Sequence, residues 1–302
     1  MPRIAVVGSM NADLSVRTQR LPGPGETVLG SELELSPGGK SSNQAAMAAR
    51  LGGDVGLFAL VGDDAHGAFV VRAAQDAGVR TEWIQVEAGT VTGTAMIAVD
   101  EAGENTIIVS PGANARLSPE KYAAGFDILD DARILCLCLE IDQATVLAAA
   151  EDAAARGVRV ILNPSPFAPV DPALLKAADI LVLNEHEVAD LTGSADLVEH
   201  DLVEALAQIG VDAAVITLGS AGAWVVSHGD VAQVRCPSVS VVDTTGAGDA
   251  FTGALGFRLA EGDDLLTAAR FAVSVASFTT TRRGAQRSYP TASEVREWLG
   301  DS

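Results

Sequence analysis

A chain of 302 residues, 48% hydrophobic and 20% charged, can bury a large core and is sized for about two domains, or for one large α/β domain with a small appendage. Its 40 acidic residues outnumber 20 basic ones and give a net charge of −20, which excludes the basic surface a nucleic-acid partner requires. Any site for an anionic ligand must then be locally positive, through lysine, Mg2+ or helix ends.

The first apolar run, Ile4–Val7, lacks polar alternation, as a strand buried on both faces should. It is too short for a signal peptide. Gly8-Ser9-Met10-Asn11-Ala12-Asp13 follows it and does not complete the G-x-G-x-x-G dinucleotide fingerprint. Ligands of open parallel sheets bind beyond the carboxyl ends of strands, and a short carboxylate such as Asp13, beside Asn11, can accept from two vicinal hydroxyls there. From Ser31 to Ser36 apolar and polar residues alternate, which predicts a half-exposed strand. Ser36-Pro37-Gly38-Gly39-Lys40-Ser41-Ser42-Asn43-Gln44 resembles part of a P-loop, but the first Gly of that motif is missing. It reads as a polyol site, with the Gly39 N–H, Lys40 and Asn43 bonding hydroxyls, or as a glycine turn followed by an N-cap.

Helical stretches Ser42–Leu51, Ala65–Ala77, Gln143–Arg156 and Leu202–Ile209 each run into a glycine stop, at Gly52, Gly78, Gly157 and Gly210. They alternate with the apolar runs Val55–Val61, Ile134–Leu139, Val158–Leu162, Ile180–Leu183 and Ala213–Ile216. That rhythm predicts an α/β three-layer sandwich with a mostly parallel central sheet. Thr94–Asp100 and Asn105–Ser110 flank Glu101-Ala102-Gly103-Glu104 and read as a hairpin. With the alternating strand they predict a small β-sheet, approximately residues 13–36 and 92–112, that serves as a lid or a dimer surface. Its exposed edges favour pairing into a homodimer. Cys136, Cys138 and Cys236 have no metal-ligand spacing and read as small core residues in a reducing compartment. No apolar stretch is long enough to span a bilayer, so a cytoplasmic protein without a membrane partner is expected.

The strand ends collect polar groups along one sheet edge. Glu140 ends one run and could hold a further hydroxyl; Asn163-Pro164 ends the next. Asn184-Glu185-His186-Glu187 is an N-x-x-E turn, suited to Mg2+, which prefers oxygen ligands and keeps several waters. Any one of these could instead be a helix cap. Thr217-Leu218-Gly219-Ser220-Ala221-Gly222 offers small residues and a hydroxyl where a nucleotide could lie, or a hairpin turn into Ala223-Trp224-Val225-Val226. The most informative stretch is Asp243-Thr244-Thr245-Gly246-Ala247-Gly248-Asp249-Ala250-Phe251, before an Ala-rich helical run. Three small residues at a helix start leave bare N–H groups, an anion cradle suited to phosphate. Asp249 at that place is either a base for an attacking hydroxyl or a complement to the helix dipole.

These motifs, with Pro24-Gly25-Glu26-Thr27, Gly103-Glu104-Asn105, Gly112-Ala113-Asn114 and Arg283-Gly284-Ala285-Gln286, resemble the ribokinase family of carbohydrate kinases along the whole chain. The resemblance implies ATP-dependent phosphorylation of a primary hydroxyl, for ribose the one on C5. It implies Asp249 as the base and the N–H groups of Gly246, Ala247 and Gly248 as an anion hole. Asn11, Asp13, Gly39, Lys40, Asn43 and Glu140 would contact sugar. Asn184, Thr217, Leu218, Gly219, Ser220, Ala221, Gly222 and Gly248 would contact nucleotide, and Glu187 would organise Mg2+ through water. A K+ site is implied at Asp243, Thr245, Thr279, Arg282, Gly284 and Ser288, several through backbone carbonyls. Two features depart from the family pattern. Ser41-Ser42 replaces the usual Gly-Ala, and Val273 stands near the adenine. Alternatives are a kinase of the same family for fructose, a keto-deoxy sugar acid or a nucleoside, and a sugar sensor without turnover. A nucleoside needs an aromatic or apolar slot, and aromatic residues are only 4% of the chain.

Overall fold

The computed structural model describes residues 3–166, 169–194 and 201–300. Every residue of β1 (Ile4–Val7), β4 (Val55–Gly62) and β8 (Ile134–Cys138) is buried. Successive strand side chains point to opposite faces, so each of these strands feeds two cores. Ile4, Val6, Ile134 and Cys136 join one core, with α1 (Lys40–Arg50), α2 (Ala65–Asp76), α8 (Ala247–Glu261) and α9 (Leu265–Thr279). Ala5, Val7, Leu135 and Leu137 join the other, with α3 (Pro119–Tyr122), α4 (Gln143–Ala155), α5 (Pro172–Ala177), α6 (Glu185–Thr192) and α7 (Leu202–Gln208). The sheet is therefore the middle of three layers, as its doubly apolar strands require. A last helix, α10 (Ala292–Leu299), adds Val295 to the first core.

The remaining strands of this sheet are β5 (Ile84–Glu87), β9 (Arg159–Asn163), β10 (Ile180–Asn184), β11 (Ala213–Thr217), β12 (Ala223–Ser227) and β13 (Asp230–Val234). Among the described residues the order is β13-β12-β11-β10-β9-β8-β1-β4-β5. All neighbours are parallel except β11–β12 and β12–β13. The chain leaves β1 toward β4 and β5, then returns to β8 on the other side of β1 and continues outward. Strand order reverses at β1/β8, so the crevice beyond their carboxyl ends is the expected ligand site.

A smaller sheet has the order β3-β2-β6-β7, from β2 (Asn11–Arg17), β3 (Glu34–Gly38), β6 (Gly93–Val99) and β7 (Asn105–Ser110). β2 and β6 are parallel, and the other pairs antiparallel. The expected hairpin of β6 and β7 is present. The alternating strand lies later than the pattern around residues 31–36 indicates. Pairing against β2 sets its register, Ser15 opposite Glu34 and Asn11 opposite Gly38. Met96, Ile107, Ile108 and Val109 remain largely exposed on this sheet.

The four expected glycine stops follow local chemistry. Gly52, Gly78, Gly157 and Gly210 all have positive φ beyond their helices. α1, however, begins at Lys40 rather than Ser42. Glu140, a hundred residues away, accepts from the Lys40 backbone N–H at 2.8 Å and so caps the helix from another strand.

Candidate active site

The N-terminus of α8 supplies the positive end of the site. Gly246 is its N-cap, with φ 74°, a left-handed conformation that any Cβ would strain. A Cβ there would also come within 2.9 Å of the Tyr289 hydroxyl, which donates to the Gly246 carbonyl at 3.0 Å. The Ala247 N–H turns back to the Thr244 carbonyl at 3.2 Å. This corrects the expectation of three bare amides. The turn that launches α8 uses one, and Gly246 and Gly248 supply the amides without a protein acceptor among the described residues.

Asp249 stands in the first turn of α8 and is 7% exposed. α8 crosses α1 at close range, because a Cβ on Gly253 would stand 2.4 Å from the Gln44 carbonyl oxygen. That approach lets Asn43 Nδ2 donate to Asp249 Oδ2 at 2.8 Å. Burial raises the Asp249 carboxyl above its ordinary range, and Lys40 and the Asn43 hydrogen bond only oppose this. For Lys40 the balance runs the other way. Burial lowers the ammonium, but Asp249, Glu140, Cys138 and Glu187 together outweigh it and leave its pKa raised. The centre therefore holds one firm cation among several carboxylates.

The expected sugar residues gather at the β1/β8 crevice. Asn11 opens β2, and its Oδ1 accepts from Asn114 Nδ2 at 2.7 Å. Asn114 also takes the Met10 N–H at 3.0 Å, so it fixes the turn after β1. Glu140 Oε2 accepts from the Ser9 hydroxyl at 2.6 Å as well as from the Lys40 backbone. One oxygen of Glu140 thus caps α1, a structural role the sequence pattern did not show. Asp13 differs from these. It is half-buried, with no hydrogen-bond donor among the described residues. Burial, then Glu140 and Asp249, push its carboxyl up to about 7.

Beside this centre lies a larger cavity of about 560 Å3, lined by Thr217, Gly219, Ser220, Gly222, Val273 and Gly248 among others. A second cavity of about 160 Å3 is lined by Lys40, Asn184, Glu187, Gly246, Gly248 and Asp249. Thr217 and Gly248 line both. The segment after β11 is the turn the sequence offered, a 3-10 turn at Gly219–Ala221 into antiparallel β12, and Thr217, Gly219, Ser220 and Gly222 also line the larger cavity. Leu218 packs into the core instead, and Ala221 lies outside the lining. Four of the six residues therefore face the cavity and two do not.

Asn184 and Glu187 form a reciprocal capping box. Asn184 Oδ1 accepts from the Glu187 N–H at 2.8 Å, and Glu187 Oε2 from the Asn184 N–H at 2.9 Å. This cap is enough to account for the spacing, yet both residues also line the smaller cavity. Among the described residues no group of three or more His, Cys, Asp or Glu could hold a metal. A lone carboxylate beside an amide suits an ion that keeps most of its waters.

Asp243 ties two loops together. Its Oδ1 accepts from Thr245 N at 2.9 Å and Oγ1 at 2.7 Å, and its Oδ2 from Gly284 N at 2.9 Å. Burial opposes ionisation, but these bonds outweigh it and hold the carboxyl below its usual range. The Thr279 and Ser288 hydroxyls donate to Ala276 and Ala285 carbonyls, at 2.7 and 2.8 Å, so their oxygens retain the capacity to accept. The Arg282 side chain lies over Phe278 and bonds Glu294 at 2.8 Å. Only its carbonyl is available to a cation. The set is all oxygen, as an alkali ion requires.

A model of the pfkB family carbohydrate kinases matches residues 1–292. The chain belongs to that family. It is therefore a phosphotransferase that acts on an alcohol group of a carbohydrate. A ribokinase of Schizosaccharomyces pombe is 38% identical to it, over 98% of this chain and 97% of the other. A deoxyribokinase of Salmonella typhimurium is 34% identical over 98% of each. A ribokinase of Arabidopsis thaliana, solved in complex with ribose and ATP, superimposes with a TM-score of 0.92 and 34% identity, covering 100% of this chain and 99% of that one. In this carbohydrate kinase, Ser9, Asn114, Gln286 and Tyr289 support the site without a role foreseen from the sequence. Each acts through a contact between distant segments; Ser9, Asn114 and Gln286 lie in the family motifs, and Tyr289 does not.

Proposed function

We propose that this kinase transfers the γ-phosphoryl group of ATP to the 5-hydroxyl of D-ribose. The observation that carries the reading is one carboxylate, Asp249, buried at a helix N-terminus whose Gly246 and Gly248 amides have no protein acceptor among the described residues. A carboxylate repels a phosphate held there unless a proton donor lies between them, and an attacking hydroxyl is that donor. The hydroxyl's proton passes to Asp249 as its oxygen bonds to the γ-phosphorus. The bond to the β-bridging oxygen breaks, and ADP leaves with the electron pair. Adenine fits the larger cavity against Val273, with the phosphates running past Thr217 and Gly248 toward the cradle. Lys40 offsets charge on the transferring group, and Asp13 accepts the sugar's vicinal hydroxyls. The small sheet closes over the sugar and excludes water. Its exposed apolar surface supports a homodimer joined lid to lid.

Glu187, through water, would hold Mg2+, which neutralises phosphate charge when bound. The oxygens around Asp243 would hold K+, steadying the loop before Gly246. The test is ADP release with Mg-ATP over pentoses, hexoses and nucleosides, with and without K+. Ribose should be turned over fastest and faster with K+. Faster turnover of fructose or a nucleoside would discard ribose as the substrate.

Cap and metal roles of Glu187 are separable. Glutamine also completes a capping box, so Glu187→Gln should leave the melting temperature nearly unchanged while raising the Mg2+ concentration needed for half-maximal rate. Glu187→Ala should lose about 1 kcal/mol of stability as well. An unchanged Mg2+ requirement in Glu187→Gln leaves the residue with the cap alone.

A further inference from the structure

Gln286 is 5% exposed and lies beyond α9, far in sequence from the residues it touches. Its Nε2 donates to Asn43 Oδ1 at 3.0 Å and to Ser42 Oγ at 3.2 Å. Asn43 Nδ2 in turn donates to Asp249 Oδ2 at 2.8 Å. An amide has one donor end and one acceptor end. If Asn43 were turned over, its NH2 would face the Gln286 NH2, and its oxygen would face the Asp249 carboxylate. Both contacts would then be repulsive. Gln286 thus reinforces, from the oxygen end, the Asn43 orientation that the Asp249 carboxylate requires. The Gln286 NH2 also reaches the Ser42 hydroxyl, which accepts from it in this arrangement. This gives the Ser42 hydroxyl a place in the site, where the family pattern has an Ala.

We propose that Gln286 is a positioning residue for phosphoryl transfer: by holding the Asn43 amide as a donor, it locks one Asp249 oxygen and aims the other at the sugar hydroxyl. The proposal rests on Asp249 being the base. Asn43 is on this view committed to Asp249 rather than primarily to sugar.

The test is a double-mutant cycle of Gln286→Met, which keeps length and removes the donor, with Asn43→Ala. Gln286→Met should lower kcat about 10-fold with the nucleotide KM unchanged. In the Asn43→Ala background it should change kcat by less than about twofold, because the route to Asp249 is already cut. Gln286→Glu, an acceptor that forces Asn43 to turn, should lower kcat further than Met does. Thermal unfolding is measured on every variant, and Gln286→Glu reports on polarity even if Met at this site disturbs packing. Full additivity in the cycle, or a kcat within about twofold of the parent in both Gln286 variants, overturns the proposal. Asp249→Asn is assayed alongside. If it keeps turnover, the base reading fails; if it loses turnover and the cycle is additive, only the Gln286 proposal fails.

Discussion

Asp249→Asn is expected to lower kcat by about 10²–10⁴-fold, the usual contribution of a general base, with the nucleotide KM little changed. Asparagine is close in shape and its Oδ1 can still accept from Asn43 Nδ2, so the site should keep its form. What is lost is a group that can take a proton. Nucleotide binding should hold or tighten, because a negative charge beside the phosphates is gone while Lys40 remains. The fold should gain stability at the same time. Burial raises the Asp249 carboxyl, so folding is weakened as pH rises from the unfolded carboxylate range through the raised folded value. Removing the charge removes that penalty. The expected signature above neutral pH is therefore a higher melting temperature together with a nearly dead enzyme. Steady-state kinetics, nucleotide titration and thermal unfolding on one preparation check it. Turnover within a few-fold of the parent would falsify the base assignment.

Much of this was legible in the chain because its causes are local. Strands apolar on both faces, such as Ile4–Val7 and Ile134–Cys138, can only be central strands of a layered sheet. The reversal of strand order at β1 then places the crevice that Asn11, Asp13, Lys40 and Glu140 share. The helix start at Gly246 and the place of Asp249 in its first turn could be read from the small residues before it. What stayed hidden depends on contacts between distant segments. Glu140 capping α1, Asn114 holding Asn11, and Gln286 orienting Asn43 each span about a hundred residues or more. No spacing rule reports a hydrogen bond of that kind. The Ala247 amide shows the reverse limit. A turn as tight as Thr244 to Ala247 consumes an N–H that the sequence alone counts as free.

Asp13 should decide which sugar is accepted and how that depends on pH. Its carboxylate is half-buried without a donor among the described residues, so vicinal hydroxyls of the substrate are what would satisfy it. Hydrogen bonds to a charged group are worth about 1.5–3 kcal/mol each. Asp13→Asn should therefore lower kcat/KM for ribose by about 10²-fold. A substrate that lacks one of two vicinal hydroxyls leaves the carboxylate half-paired, so 2-deoxyribose should be a poor substrate for the parent enzyme. The ratio between the two sugars should shrink in Asp13→Asn. If the parent prefers 2-deoxyribose, the pairing of Asp13 with a diol is wrong. The pH dependence follows from the carboxyl being pushed up to about 7 by burial and by Glu140 and Asp249. Sugar needs the ionised form as acceptor, so kcat/KM for ribose should rise with pH and level off above about 7. The same shift has the opposite effect on the unliganded fold. The unfolded carboxyl titrates near 3.8 and the folded one near about 7, so the native state holds the extra proton across that window. Stability should fall as pH rises through it and stay low above. Saturating ribose should restore stability most at high pH, where the acceptor is charged and its hydroxyl partners are bound. Melting curves across pH, with and without ribose, read both effects at once. In Asp13→Asn the acid limb near neutrality should vanish from kcat/KM, while any limb belonging to Asp249 persists. An unchanged limb in that variant would assign the neutral titration to another group and remove Asp13 from sugar selection by charge.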